Sequence, residues 1–532
     1  NYEVQGLGDN HNLSFLLGNE VIKNTGASSE MIGAGYSMAE SWDMDRVFGM
    51  FNMYQAGHAD NSYSNKINTP STTVSFFGRG NYSLKGRYLL TATLRADGSS
   101  KFGPNHRWGY FPAGAFAWRI SDEPFFQPLA RVVDNLKLRL SYGLAGADNI
   151  DASLWRETWK TGTTTYNGNV VSTYEPNGMK ANPDLKWETT TEWNLGLDFG
   201  FLKSRITGSV ELYQRVISDL LNYKPLNTYQ EVKQVMANIG KTQSRGIEVT
   251  LNTRNIVTKD FFWETSLTYT KYKDRWKERT PDWKPNVYEK ETDPIRAIYS
   301  RRADHIMQIG EEAPTAQPDL RPGQIVIKDL DGYVRDENGN PKVDENGRFM
   351  LLGRPDGIID EADTELIGTL DPGWMASMTN TFKYKGFDLN IMFNGMFDRI
   401  MQDPTEMDFG VNGGGIAQSG YNMLRTIKDR WTFDNPSTTR PSSYYITGTN
   451  YTAGDFFYQK AWFIRLQNIS LGYTLPKSLL AKTKVLSNVR FHASVNNLFV
   501  ITPYKGLDPE TDAYAAAYPN ARTFSFGVDV SF

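Results

Sequence analysis

The sequence predicts an all-β protein, a transmembrane antiparallel β-barrel, on three observations. No stretch of its 532 residues approaches the roughly 18 to 20 consecutive apolar residues of a spanning helix, because Asn, Asp, Arg or Gly interrupts every short apolar run. Apolar and polar residues instead alternate with period two over segments of about ten residues, the length of a tilted strand crossing a bilayer. The connections between these segments are alternately long and short.

About fourteen strands are expected, beginning near residues 12, 73, 87, 112, 135, 191, 205, 245, 262, 375, 386, 463, 488 and 523. Trp193, Leu195, Leu197 and Phe199 alternate with Asn194, Gly196 and Asp198. Phe387, Leu389, Ile391 and Phe393 alternate with Asp388, Asn390, Met392 and Asn394. Val489, Phe491, Ala493 and Val495 alternate with Arg490, His492, Ser494 and Asn496. Ile464 and Leu466 are out of phase with Ile469, Leu471 and Tyr473, which predicts a β-bulge at Gln467 or Asn468. Alternation alone fits a soluble sandwich as well as a barrel, since it does not say whether the apolar face meets a core or lipid. The connections decide. Tight turns at 82–87, 200–205 and 384–387 interleave with long excursions near 25–72, 147–188, 275–372 and 399–462, as in barrels with short periplasmic turns and long extracellular loops. The chain ends on the alternating face Phe524, Phe526, Val528, Val530 and Phe532, an exposed edge that barrel closure would pair.

Aromatic residues make up 13% of the chain, charged residues 22%, and the mean hydropathy is −0.50, a composition that excludes a helical membrane protein. A net charge of −3 gives no basic footprint for nucleic acid. The absence of cysteine removes thiolate metal sites, thiol nucleophiles and disulfides, and suits passage through an oxidising periplasm. Asn1 carries neither an initiator Met nor signal-peptide features, so the sequence reads as a fragment.

The segment Leu94 to Phe126, LRADGSSKFGPNHRWGYFPAGAFAWRISDEPFF, resembles the SusC/RagA family of TonB-dependent transporters of Bacteroidetes. The likeness continues in LKLRLSYGLAG (136–146), NPDLKWETTTEWNLGLDFGFLKSRITGSVELY (182–213), NIGKTQSRGIEV (238–249) and FIRLQNISLGYTLP (463–476). It implies a bacterial outer-membrane barrel of about 22 strands, plugged by an N-terminal domain and working with a SusD-like surface lipoprotein. The family's signal peptide, N-terminal extension, TonB box, plug and first strands find no counterpart here. On this reading residues 1–532 are the C-terminal part of the barrel, and the strands that complete it lie upstream, because open edges in lipid leave backbone groups unsatisfied.

One constellation suggests ligand chemistry. Within the long extracellular loop 275–372, Asp329 and Asp331 resemble the start of an EF-hand-like calcium loop, and Asp356, Ile358, Asp360 and Asp363 its remainder. Asp329, Asp331 and Asp356 would supply positions one, three and five, the Ile358 carbonyl position seven, Asp360 position nine and Asp363 position twelve. Residues 333–355 are an insertion between the halves. The expected calcium would rigidify the loop and take no part in catalysis; an acidic solvated loop is the alternative. The histidines His11, His58, His106, His305 and His492 show no metal spacing, and His106 and His492 have no recognisable nucleophile partner. No enzymatic activity is expected. The stretch Gly410 to Gly415 lacks the context of a phosphate loop and reads as an extracellular loop. Loop aromatics, among them Trp155, Trp159, Tyr166, Trp283, Tyr444, Tyr445, Tyr451, Phe456 and Tyr458, suit sugar stacking, peptide binding or loop packing.

The resemblance therefore implies TonB-dependent import of a large nutrient, an oligosaccharide first and an oligopeptide second, by a protein that contacts outer-membrane lipid, TonB and a SusD-like partner. A passive porin or a surface adhesin is compatible with the residues alone; an upstream plug and TonB box would exclude both.

Overall fold

A computed structural model describes residues 1–32, 62–176, 178–227, 229, 232–281, 283–345, 347–411, 422–443, 453–511 and 519–532. Fifteen strands form one sheet: β1 (Tyr2–Glu3), β2 (His11–Asn24), β3 (Ser71–Leu84), β4 (Tyr88–Ser99), β5 (Trp108–Arg119), β6 (Val133–Ala147), β7 (Glu188–Phe201), β8 (Ile206–Ser218), β9 (Lys241–Val257), β10 (Phe261–Glu278), β11 (Trp374–Tyr384), β12 (Phe387–Phe397), β13 (Phe463–Thr474), β14 (Asn488–Ile501) and β15 (Thr523–Ser531). Each lies beside its predecessor and its successor, an up-and-down order with no crossover. Among the described residues β1 and β15 each have a single sheet neighbour.

Fourteen of these strands correspond to the expected ones, and the two-residue β1 is additional. The largest offsets have physical causes. β5 begins at Trp108 rather than near 112, because Gly109 and Pro112 obscure its alternation. β9 begins at Lys241 rather than near 245, because Lys241 to Ser244 are polar on both faces while the backbone ladder runs on. The bulge falls at Gln467: Met392 pairs with Asn468 and Phe393 with Leu466, so Gln467 is skipped and both flanks return to one face. At the β11–β12 turn Lys385 (φ 45) and Gly386 (φ 91) are both left-handed, as a two-residue hairpin of type I′ requires.

Long connections alternate with short ones along most of the chain; the exception is 100–107, which lies on the long side yet is shorter than 120–132 and 475–487 on the short side. Besides the four excursions expected, 219–240 and 502–522 lie on the long side. These excursions carry antiparallel strand pairs of their own, including Leu221–Pro225 with Gln234–Asn238, Ala297–Arg301 with Thr364–Thr369, Ala303–Ile306 with Ile325–Ile327, and Ile400–Gln402 with Tyr458–Lys460.

The chain divides into two compact units. In the first, Asn1–Ala115, Tyr142–Thr191 and Ile217–Gly240, the core is Phe102, Phe111, Ile150, Leu185, Trp187 and Met236. Phe102, Leu185 and Trp187 come from the quoted motifs SSKFGP and NPDLKWE, and Trp187 donates its indole N–H to the Arg107 carbonyl at 3.0 Å. Those motifs therefore serve packing. The second unit, Phe116–Ser141, Glu192–Val216 and Lys241–Phe532, holds a core of Ile306, Ile325, Ile327, Val411, Trp431 and Phe457, built from the long connections rather than from the sheet.

Candidate functional site

The second unit shows what the two faces of the sheet offer. Period two sends Phe387, Leu389, Ile391 and Phe393 of β12 to one face and Asp388, Asn390 and Asn394 to the other. Across neighbouring strands the apolar face is bounded by two rows of aromatic rings. Near the short turns, Phe261 meets Tyr384 at 6.5 Å, Trp263 stacks on Phe382 at 5.6 Å and Phe387 meets Tyr473 at 4.3 Å. Near the long connections, Tyr269 meets Trp374 at 5.9 Å, Trp374 stacks on Phe397 at 3.8 Å and Phe397 on Trp462 at 6.4 Å. Phe387 and Phe397 stand ten residues apart on one strand, about 34 Å along it, or about 25 Å of membrane height at a tilt of about 40°. That is the height of the apolar band between the aromatic girdles of outer-membrane barrels. The last strand keeps the pattern, with Phe526 81% exposed on the apolar face.

The opposite face carries ion pairs that alternation alone did not pair up. Arg139 of β6 makes a two-pronged contact with Asp198 of β7 (2.9 and 2.7 Å) and reaches Glu211 of β8 at 2.8 Å, while Asn194 donates to Glu211 at 3.0 Å. Arg215 pairs with Glu192 at 2.7 Å. Farther along, Arg490 of β14 binds Asp388 of β12 at 2.8 Å across the intervening β13. The residue between them is Gly472, where a Cβ would stand 2.4 Å from the Arg490 guanidinium and 2.5 Å from Asp388, so glycine clears the passage. His492 lies 3.3 Å from Asp529 on this same face, as its place in the polar phase predicts. The polar-phase positions name these residues; the sequence lacks the register that says which ones meet.

In the long connection before β11 the two acidic halves do come together. The insertion folds back on itself through bridges Tyr333 to Leu351, Arg335 to Pro341 and Val343 to Phe349, which returns Leu352 to within 2.8 Å of the Gly332 carbonyl. Asp329 then accepts the N–H groups of Asp356 (3.3 Å) and Gly357 (2.7 Å), and Asp331 those of Gly332, Gly353 and Arg354. Asp356 accepts from Ile358 N–H at 3.0 Å, and Asp360 caps the short 3-10 turn Glu361–Asp363. Asp363, fully buried, accepts from Leu330, Asp331 and Asp360, while desolvation pushes its carboxyl above the usual range. The guanidinium of Arg335, from the insertion, stands 3.4 Å from Asp360 and 3.8 Å from Asp356. The carboxylates are thus occupied with backbone amides and an internal cation. Among the described residues no group of three or more His, Cys, Asp or Glu is placed to hold a metal ion. As arranged, the donors do not form a calcium cage.

The remaining sequence candidates are distributed. His11 bonds the Tyr82 hydroxyl at 2.7 Å, His106 lies 3.8 Å from Asp184, and His305 sits between Asp304 and Glu311. The hydrogen bond that His305 donates to Asp304 leads in raising the His305 pKa, and it in turn lowers that of Asp304. Phe456 and Tyr458 pack in the loop layer, Trp155 donates to the Ser100 carbonyl, and Trp159 and Tyr166 are exposed. Trp283 stacks under Arg279. His58, Tyr444, Tyr445, Tyr451 and residues 412–415 of the glycine stretch lie outside the described residues.

Known proteins agree with this architecture. The chain is 31% identical to the TonB-dependent receptor SusC of Bacteroides thetaiotaomicron over 98% of its own length and 50% of that protein's. It is 29% identical to the TonB-dependent receptor P3 of Formosa agariphila, again over 98% of its own length and 51% of the relative's. The chain thus spans about half the length of the curated relatives it matches. The solved structure of the RagAB peptide transporter shares its fold, with a TM-score of 0.76, 22% identity and coverage of 100% of this chain and 54% of that one. The family model for the TonB dependent receptor-like β-barrel matches residues 2–313, and its relatives are outer-membrane proteins. The chain belongs to the TonB-dependent receptor β-barrel family, whose home is the bacterial outer membrane.

Proposed function

We propose that the complete protein imports a large nutrient across the outer membrane at the expense of energy delivered through TonB, and that this chain is the C-terminal part of its barrel wall and most of its extracellular vestibule. The observation that carries the reading is the sheet itself. One face bears an apolar band between aromatic rows, and the other is lined by Arg139, Asp198, Glu211, Asp388 and Arg490, the polarity of a wall between lipid and a wet lumen. About 22 strands enclose a lumen wide enough to need a plug, so upstream sequence supplies the plug and the strands that pair β1 and β15.

The motifs shared with the SusC/RagA family favour an oligosaccharide as cargo, with a SusD-like lipoprotein covering the long connections. The likeness to a peptide transporter supports an oligopeptide as the second reading. Import needs no catalytic residue in this chain. Mass spectrometry of the intact complex extracted from membranes tests the proposal. A polypeptide much longer than 532 residues, bound to a lipoprotein and retaining a glycan, supports it; a retained peptide moves the cargo to the second reading. A lone chain of this length with no partner contradicts TonB-driven import.

A further inference from the structure

The apolar face of the second unit is not flat. A hollow of about 630 Å³ opens on it, lined by Leu251, Leu267, Tyr269, Trp374, Ala376 and Phe397 among others. The small residues at its floor are Ala376 and Gly395, which face each other across β11 and β12. Its size lies in the range of about 300–1,000 Å³ that holds a ligand of small-molecule bulk.

Directly beyond the hollow, on the same face, the apolar residues give way to cations. On β10 the outward positions after Leu267 and Tyr269 are Lys271, Lys273 and Arg275, all exposed, and on β9 Arg245 stands directly opposite Lys273 in the register. Like charges opposed across an antiparallel pair repel each other. None of the four makes an ion pair with a described residue. The acid in their midst, Asp274, is of the opposite phase and faces Tyr213 and Tyr272. Each outward step along a strand is about 7 Å; Thr270 pairs with Met375, so Lys271 stands level with Trp374, and the opposed Lys273 and Arg245, then Arg275, lie one and two steps past the ring row, at the level of lipid headgroups.

We propose that this patch is a binding site for a phosphate-bearing, multi-chain lipid of the membrane leaflet next to the long connections, its phosphate held by Arg245, Lys271, Lys273 and Arg275 and one acyl chain lying in the hollow. The inference rests on the wall reading above, which makes this face the lipid face. Charge complementarity selects the occupant: the cations call for an anion, and the hollow continuous with them calls for a hydrocarbon chain on the same molecule. Arginine and lysine stems cover apolar surface while their heads meet phosphate.

The test uses the full-length protein in mild detergent, with native mass spectrometry against lipid A carrying its phosphates, the same lipid with the phosphates removed, and inorganic phosphate alone. Retention of the phosphorylated lipid, at least about tenfold over the dephosphorylated one, is expected, with no competition from inorganic phosphate at matched concentration. In the variant K271Q/K273Q/R275Q that preference falls about tenfold or more, and Ala376→Leu, which fills the hollow, weakens retention while keeping the preference for phosphate. Equal retention of the two lipids by the parent protein overturns the proposal without touching the transport reading. Displacement by inorganic phosphate also overturns it, since the site is then a plain anion site.

Discussion

The wall formed by β10 to β14 and the layer of long connections around Ile306 and Trp431 use the same apolar residue types in opposite senses. In the wall Leu389, Ile391 and Phe393 face outward and Asp388, Asn390 and Arg490 face the other way. In the loop layer Ile306, Ile325 and Phe457 are buried among themselves, as in a soluble domain. The wall's apolar side chains are stable because lipid meets them; the loop layer's because they meet one another. Charge follows the same division. The ion pairs between wall strands stand on a half-exposed face, whereas Arg465, at the long-connection end of β13, and Asp508, in the connection after β14, are 3% and 5% exposed and 2.6 Å apart.

Removing one partner of that buried pair gives the largest effect. Asp508→Ala leaves Arg465 with only the partly exposed Glu510 carboxylate at 2.8 Å and deprives the Glu510 and Asn520 amides of their acceptor, costing about 3–5 kcal/mol in all. Hydrogen exchange over residues 463–511 should rise sharply, and Arg465→Met with Asp508→Leu should restore most of the protection. If Asp508→Ala leaves exchange unchanged, the loop layer does not depend on this pair.

The next contrast is made on one strand. Ile391→Arg places a charge on the lipid side near mid-membrane and is expected to cost about 2–4 kcal/mol, while Asn390→Arg, one residue away on the lumen side, costs close to nothing. Unfolding titrations in lipid vesicles separate the two; equal costs would mean that both faces are wet.

The smallest effect belongs to the loop layer alone. His305 has a raised pKa in the folded state, so its pairing with Asp304 and Glu311 stabilises fully below the unfolded value near 6.5 and is lost as pH rises through the folded value. Asp304, with a lowered pKa, contributes above its unfolded value near 3.9 and loses that contribution as pH falls through the folded one. The local optimum therefore lies between about pH 4 and 6.5. Solvent screening keeps it to a few tenths of a kcal/mol. His305→Gln should flatten the alkaline side of the exchange profile of residues 303–311.

Much of the wall is legible in the sequence, because a strand in lipid announces itself by period two, and even the bulge at Gln467 follows from two apolar runs out of phase. The sequence names Arg139, Asp198, Asp388 and Arg490 as polar-phase residues, yet their pairing depends on register across β6 to β8 and β12 to β14, which no local pattern records. The loop layer is least legible. Asp329, Asp331, Asp356, Asp360 and Asp363 are visibly a set, and the structure joins them, but Arg335 reaches them only because the insertion folds back, a long-range event. The buried core of Ile306, Ile325 and Trp431 comes from segments more than a hundred residues apart, with no period to signal it.

The most direct test of the central claim, that one face of this sheet meets lipid and the other a wet lumen, exploits the absence of cysteine from the sequence. Single cysteines placed in turn at Leu389, Asn390, Ile391, Met392, Phe393 and Asn394 of the full-length protein, with any cysteine of its upstream sequence replaced by serine, would be exposed in intact outer membranes to a membrane-impermeant maleimide. Labelling at 390, 392 and 394 with protection at 389, 391 and 393 is the predicted result, and uniform labelling of all six positions, or the opposite phase, would contradict it.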